Sequence, residues 1–388
     1  MPALRNEALV RPELLVWARE SVGLSIEQAA KKISIKPNRL LACEQGQARL
    51  TIRQLRELSN VYKRTLAFFY LPAPPRPESD LHDFRRLPDE PRIKTSPELR
   101  LEIRKARHRR VLALELYQEL EIAPPVFEAS TVLGADVFQV AGQIRELLRI
   151  TPEKQANLRG EYEAYNFWRD AIETSGVLVF QGSISLRQMR GFSIAEFPLP
   201  VITVNSKDSP LGRVFTLIHE LTHIMVRSDG VCDLHDGAAI EVFCNAVAGE
   251  TLVPTDLLAR EPLIKEHVNQ SEWPDESVRS LAIRYSVSRE VILRRLLTLG
   301  AISQAFYQKK RAEIIKEYSE IKSAGGPTQE VMAISRAGKT FARLVIDSYQ
   351  QNKIDLIDAS QYLGVKSKYL EKIERALSGF GGKIGGED

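Results

Sequence analysis

Apolar residues in the first part of the chain recur at helical spacing: Leu14, Leu15 and Ala18, then Ala29, Ala30 and Ile33, then Leu40 and Leu41, then Leu55 and Leu58. Steps of three and four residues put such positions on one face of a helix. Residues 11–71 therefore predict short helices separated by turns. Ser25 fits the N-cap of the second, where its hydroxyl can accept from the first turn. Pro37 fits the first turn of the third, where an N–H is not needed. The run Pro72-Ala73-Pro74-Pro75-Arg76-Pro77 then stops helical structure and stiffens the chain.

Beyond it, residues 97–121 predict a long charged helix with Leu101, Leu112, Leu116 and Leu120 as the buried stripe, ended by Pro124-Pro125. Another helix is expected from Glu161 to Thr174. The period then changes, and Val177–Phe180, Gly191–Ile194 and Val201–Val204 predict short strands between turn residues. Leu211–Val226 predicts a helix, followed by a Gly- and Asp-rich loop at 228–237 and a second helix from Ala238 to Leu252, closed by Pro254. Glu276–Leu299 predicts a helix-turn-helix-like pair, and Ala337–Leu377 further helices before a Gly-rich end at Gly379–Asp388. No repeat of fixed period is evident. The expected fold is α+β and mainly helical: a five-helix domain at 1–71, a Pro-rich linker at 72–96, a domain of helices with a small sheet at 97–325, and a helical extension at 326–388.

Composition narrows the class. The chain has 388 residues, 44% hydrophobic and 27% charged, which is the balance of a globular protein. No segment approaches the roughly 20 apolar residues of a membrane span, and Met1–Val10 lacks the pattern of a secretory signal. The expected location is the cytoplasm, without a membrane partner. Three cysteines, Cys43, Cys232 and Cys244, do not form a disulfide framework. Residues 1–110 carry 23 Lys and Arg against 13 Asp and Glu, while the rest of the chain is net acidic. A polyanion partner at the front is one reading, because Lys and Arg contacts to phosphate supply most non-specific nucleic-acid affinity; a solvated basic face is the other.

The chemistry concentrates at His219-Glu220-Leu221-Thr222-His223, an HExxH sequence in the apolar run Val214–Ile218. On a helix, both imidazoles lie on one face and can reach one tetrahedral Zn2+. Glu220 can then hold and deprotonate a metal-activated water as general base. Catalytic zinc needs a third protein ligand. Glu241, at the start of the next helix, is the first choice, with Asp233, His235 and Asp236 competing from the intervening loop. Asn245, one turn beyond Glu241, would orient a ligand histidine, and His235 is a candidate transition-state donor. Cys232 and Cys244 are read either as inert thiols or as a thiolate latch on the metal. The strand at Val201–Asn205 is a candidate for binding an extended substrate by strand addition.

The segment Arg213–His223, followed by Glu241-Val242-Phe243-Cys244-Asn245-Ala246-Val247-Ala248 and closed by Pro254, resembles the ImmA/IrrE family of zinc metallopeptidases. Gly191-Phe192 and the strand Val201–Asn205 extend the resemblance over about residues 155–300. The resemblance implies Glu241 as third ligand, with Asn245 and Ala246 in the signature, and a gluzincin-like endopeptidase that cleaves helix-turn-helix repressors or antitoxins. Thr222 departs from it, standing where Gly or Ala is commoner. The helices after 330 resemble the C-terminal extension of longer members.

Leu24–Ala30 followed by Lys36–Gly46 is similar to the XRE/Cro helix-turn-helix domains, over about residues 11–70. The markers are Ala30 and Glu44-Gln45-Gly46; the departure is Ile26, where a polar residue often stands. In such a fold Lys36, Asn38 and Arg39 open the recognition helix and face the DNA major groove. The expected partners are double-stranded DNA and a protein substrate, with a homodimer left open. A DNA-bound regulator or antitoxin-like protein, whose peptidase fold acts as sensor, is the alternative function.

Overall fold

A computed structural model describes residues 7–62, 64–75, 96–186, 189–227, 237–267, 272–320 and 328–378. It divides into two compact units, Met1–His82 with Asp89–Lys105 and Asp83–Pro88 with Ala106–Asp388. The first holds α1 (Pro12–Ser21), α2 (Ile26–Lys32), α3 (Pro37–Glu44), α4 (Ile52–Tyr62) and a 3-10 turn at Leu66–Tyr70. Ser25 caps α2 in a reciprocal box: its Oγ accepts from Gln28 N at 3.2 Å and Gln28 Oε1 accepts from Ser25 N at 3.0 Å. Pro37 opens α3. Leu14, Ala18, Ala30, Leu40, Leu55, Leu58 and Phe69 form the core. Glu44 is buried too. Arg19 meets it with two donors, Nε at 2.8 Å and Nη2 at 3.0 Å, so the carboxylate's charge and lone pairs are both satisfied.

The division falls within α5 (Pro97–Glu119). In the second unit, α6 (Val137–Leu147), α7 (Pro152–Ala156) and α8 (Glu161–Thr174) precede β1 (Leu178–Gly182), β2 (Gly191–Ile194) and β3 (Val201–Asn205). Then follow α9 (Pro210–Arg227) and α10 (Gly237–Leu252). The sheet order is β1-β3-β2, with β1 parallel and β2 antiparallel to β3. All three strands are buried along their length. Their continuous apolar character follows, since helices cover them. β3 is therefore the central strand, paired on both sides. That overturns the expectation that Val201–Asn205 receives a substrate strand, because its backbone groups are already used; β2 and β1 are the edges.

Helix α9 packs on β2, β3 and α8, and α10 packs on α9 and α6. Val214, Leu217, Ile218, Leu221 and Met225 of α9 join Trp168, Ile172, Val204 and Val247 in one core. The chain continues through α11 (Thr255–Leu258), α12 (Pro262–Glu266), α13 (Asp275–Arg284), α14 (Arg289–Thr298) and α15 (Gln304–Glu320). It ends with α16 (Gln329–Ala337), α17 (Lys339–Gln350), α18 (Leu356–Leu363), a 3-10 turn at Ser367–Tyr369 and α19 (Leu370–Ser378). Helix α16 packs beside β1, and α17 reaches α8. There Gly338, at φ +83°, starts α17 against Glu173: an added Cβ would lie 2.4 Å from Glu173 Oε1 and 2.6 Å from Val179 O. Only glycine fits that approach. Among the described residues no helix is long and apolar enough to cross a membrane.

Candidate metal centre

The local sequence explains why α9 holds its polar groups inside. Pro210 stands in the first turn and Ser209 Oγ accepts from Gly212 N at 3.0 Å, a capping arrangement that starts the helix firmly. The apolar residues listed above then commit most of its circumference to the core. His219, Glu220, Thr222 and His223 are carried in with them, at 0%, 1%, 0% and 2% exposure. Thr222 is satisfied within the helix, its Oγ1 donating to Ile218 O at 2.8 Å. The other three are not spent on helix structure. Uncompensated burial of each such group costs several kcal/mol, so their presence demands a use.

Helix α10 supplies part of it. Glu241 sits in its first half, with Oε1 3.2 Å from His223 Nε2 and Oε2 3.4 Å from His219 Nε2. The two Nε2 atoms are 3.1 Å apart. Donor atoms of all three residues lie within 4.8 Å of one another. Ligands at about 2.0–2.1 Å from a tetrahedral zinc stand about 3.3 Å apart, so the three separations fit one divalent ion. The electrostatics are those of a ligand set. Burial works against a charged Glu241, but hydrogen bonds from His219 and His223 outweigh it and hold the carboxyl well below its usual range. Burial likewise opposes charge on His223, while Cys244, Glu241 and Glu220 raise its pKa well above the ordinary value.

Glu220 turns to the sheet. Its Oε2 accepts from Ser193 Oγ on β2 at 2.9 Å. Gly191 on the same strand makes that approach possible: a Cβ there would stand 2.3 Å from Thr216 Cγ2, 3.1 Å from Thr203 O and 3.3 Å from Glu220 Oε1. Ser193 was not singled out from the sequence; its one signal was alternation along a short strand beside a glycine. Cys244 of α10 contributes, with Glu241 of the same helix, to raising the pKa of His223. It is buried, with its thiol pKa raised first by desolvation. Asn245 is half-buried, with no side-chain hydrogen bond among the described residues. Cys244 and Asn245, three and four residues beyond Glu241, lie on the face of α10 that Glu241 occupies. Asp233, His235, Asp236 and Cys232 lie outside the described residues. In the first unit, Lys36, Asn38 and Arg39 are all exposed at the start of α3.

A His–His–Glu cluster on two packed helices, with a carboxylate beside the first histidine and a sheet edge alongside, defines a metallopeptidase-like protein. Comparison with known families agrees: residues 172–297 match Peptidase_M78, the IrrE N-terminal-like domain, and residues 15–69 match the family HTH_3, helix-turn-helix. The chain thus joins an IrrE N-terminal-like peptidase domain to an XRE-type helix-turn-helix domain. No curated protein matches it.

Proposed function

We propose that this chain is a zinc-dependent endopeptidase of transcriptional control, cytoplasmic, which cleaves a helix-turn-helix repressor or an antitoxin. The observation that carries this reading is Glu220: a buried carboxylate next to a histidine whose Nε2 lies 3.1 Å from that of a second one. Two imidazoles and a carboxylate oxygen are a donor set that zinc accepts while leaving a position for reactants. Bound by His219, His223 and Glu241, the ion supplies Lewis-acid polarisation of the scissile carbonyl and lowers the pKa of water toward about 7.

The protein's own groups do the rest. Glu220 takes the proton of the attacking water and delivers it to the leaving amine. Ser193 holds one oxygen of that carboxylate at 2.9 Å and so fixes its direction. The outer edge of β2, next to Glu220, is the place where an extended peptide adds as a strand, bringing its carbonyl to the centre. Lys36, Asn38 and Arg39 read duplex DNA and bring the peptidase to repressors bound there. Cleavage products from cells with the wild-type chain, compared by mass spectrometry with those from Glu220→Gln, test the reading. New termini in a DNA-binding protein, absent in the variant, are expected. Identical sets, with transcriptional control intact, would favour the DNA-bound regulator instead.

A further inference from the structure

The turn between α2 and α3 has a defined geometry. Ser34 adopts φ +56°; its N–H donates to Lys31 O at 3.3 Å, and the next N–H, of Ile35, reaches back to Ala30 O at 3.1 Å. This is a Schellman ending followed directly by a new helix. The α13–α14 and α18–α19 pairs share it. Ser286 has φ +50°, with Ser286 N to Ile283 O at 3.1 Å and Val287 N to Ala282 O at 3.0 Å. Gly364 has φ +65°, with Gly364 N to Gln361 O at 3.1 Å and Val365 N to Ser360 O at 3.0 Å. Buried positions coincide as well: Ala29, Leu281 and Ala359 before the turn, and Leu40, Ile292 and Leu370 after it. The last pair matches the first most closely, since its capping residue, Asp355, stands as far before Gly364 as Ser25 stands before Ser34. Helix α17 packs on α19, as α1 packs on α3.

What differs is where the second helix of each pair faces. In α14 it is used up by the fold: Arg295 is buried and bonded to Glu250 and Val253 O, Arg289 pairs with Glu317, and Arg294 donates to Tyr307 Oη. In the last pair it is open. Lys366, Ser367, Lys368, Glu371, Lys372 and Arg375 are exposed, and no large apolar side chain is exposed between Lys366 and Ser378. The acids beside this face are engaged: Glu374 accepts from Gln350 at 2.6 Å, Glu371 holds Arg375 at 3.4 Å, and Glu330 faces Lys372. Lys366 and Lys368 carry no such partner among the described residues, and they stand at the offsets from the turn that Lys36 and Asn38 occupy in the first pair.

We infer that α18–α19 is a second DNA-contacting helix-turn-helix, in which Lys366 and Lys368, flanked by Lys372, take the phosphate backbone of duplex DNA. From Lys366 to Ser378 the exposed chemistry is charge without apolar anchors, which suits phosphate; the exposed apolar pair of the unit, Leu356 and Ile357, lies on α18. It stands independently of the peptidase reading.

The test uses the full chain carrying Lys36→Ala, Asn38→Ala and Arg39→Ala, so that the first domain does not mask the second, and a fluorescent duplex of mixed sequence titrated across salt. Adding Lys366→Ala and Lys368→Ala should lower the slope of log affinity against log salt by about 2, because each phosphate contact contributes about 0.9. Glu371→Lys should instead strengthen binding about tenfold at low salt, a gain that misfolding does not produce. Absence of DNA binding in the background chain, or affinity and slope unchanged by the two lysine substitutions, would overturn the inference. In the latter case the exposed Leu356 and Ile357 on α18, which open on a cavity of about 950 Å³, would point to a protein partner.

Discussion

Helices α3 and α9 each carry the polar residues of a proposed site, and they present them in opposite directions. In α3 the inward positions, Leu40, Cys43 and Glu44, hold the fold, while Lys36, Asn38 and Arg39 face solvent. In α9 the candidate groups themselves point inward, and His219, Glu220 and His223 are as buried as the leucines beside them. Function on an outward face costs the fold nothing and can be removed without structural penalty. Function inside a core is coupled to packing, to neighbouring backbone and to proton occupancy. Substitutions in the two helices should therefore fail in different ways.

The largest effect is expected at Glu220. Glu220→Gln keeps the shape, so the protein should retain about one metal ion per chain while proteolysis falls by about 10²–10⁴, the usual contribution of a positioned base. His219→Ala or His223→Ala should abolish metal binding. Elemental analysis of the purified variants separates the two roles, and metal missing from Glu220→Gln would show that this carboxylate is a ligand. Next comes Glu241→Ala, which should weaken metal in a chelator competition far more than His235→Ala. The opposite ranking would replace the His–His–Glu cluster with three histidines.

Packing and protons give smaller effects. Gly191→Ala forces β2 away from Thr216 and the Thr203 carbonyl, and should cost about 1–3 kcal/mol in a denaturation experiment, in the range of overpacked cores. No outward position of α3 should cost as much. Glu173 provides the pH test in the same unit. Desolvation raises its pKa to about 7 despite Arg169 beside it and the backbone of Lys339. A raised pKa in the folded state means that the native protein binds this proton more tightly than the unfolded chain. The stabilisation is full below the ordinary value near 4.5 and is lost as pH rises through about 7. Stability should thus decline across that window, and Glu173→Gln should flatten the decline.

Much of the centre was legible because it breaks a local pattern. Two histidines and a glutamate inside an apolar run have no role in a core helix, so the pentapeptide stands out against its own surroundings. The helix at Glu161–Thr174 and the strand at Gly191–Ile194 are legible to their observed limits for a different reason, periodicity. Helix α6 is not among the elements predicted above, although Asp136 caps it and Val140, Ile144 and Leu148 mark its buried face. Features that depend on how elements meet were not legible. Strand order decides that β3 is central, and only the closed fold brings Glu241 to the two histidines and Ser193 to Glu220. The recurring turn at Ser34, Ser286 and Gly364 leaves no fixed period in the sequence because its spacing is irregular.

The smallest structural effect is expected at Arg39, which makes it the sharpest test of the contrast between the helices. The side chain is exposed and makes one hydrogen bond, Nη2 to Arg49 O at 3.3 Å. Its loss should change stability by no more than about 0.5 kcal/mol, as for most surface substitutions. If α3 lies in the major groove, Arg39→Ala should nonetheless relax sequence preference by about 1–3 kcal/mol at the base pair it contacts. Arg53, exposed on α4 and paired with Glu57 among the described residues, is placed to meet phosphate, so Arg53→Ala should weaken binding equally for all sequences. A binding screen over duplexes altered at single positions distinguishes the two patterns. Uniform weakening by both variants would reduce α3 to an electrostatic contact, while unchanged binding would make the first domain a surface for recruiting another helix-turn-helix protein. A large loss of stability in Arg39→Ala would erase the contrast itself, since the outward face of α3 would then be part of the fold.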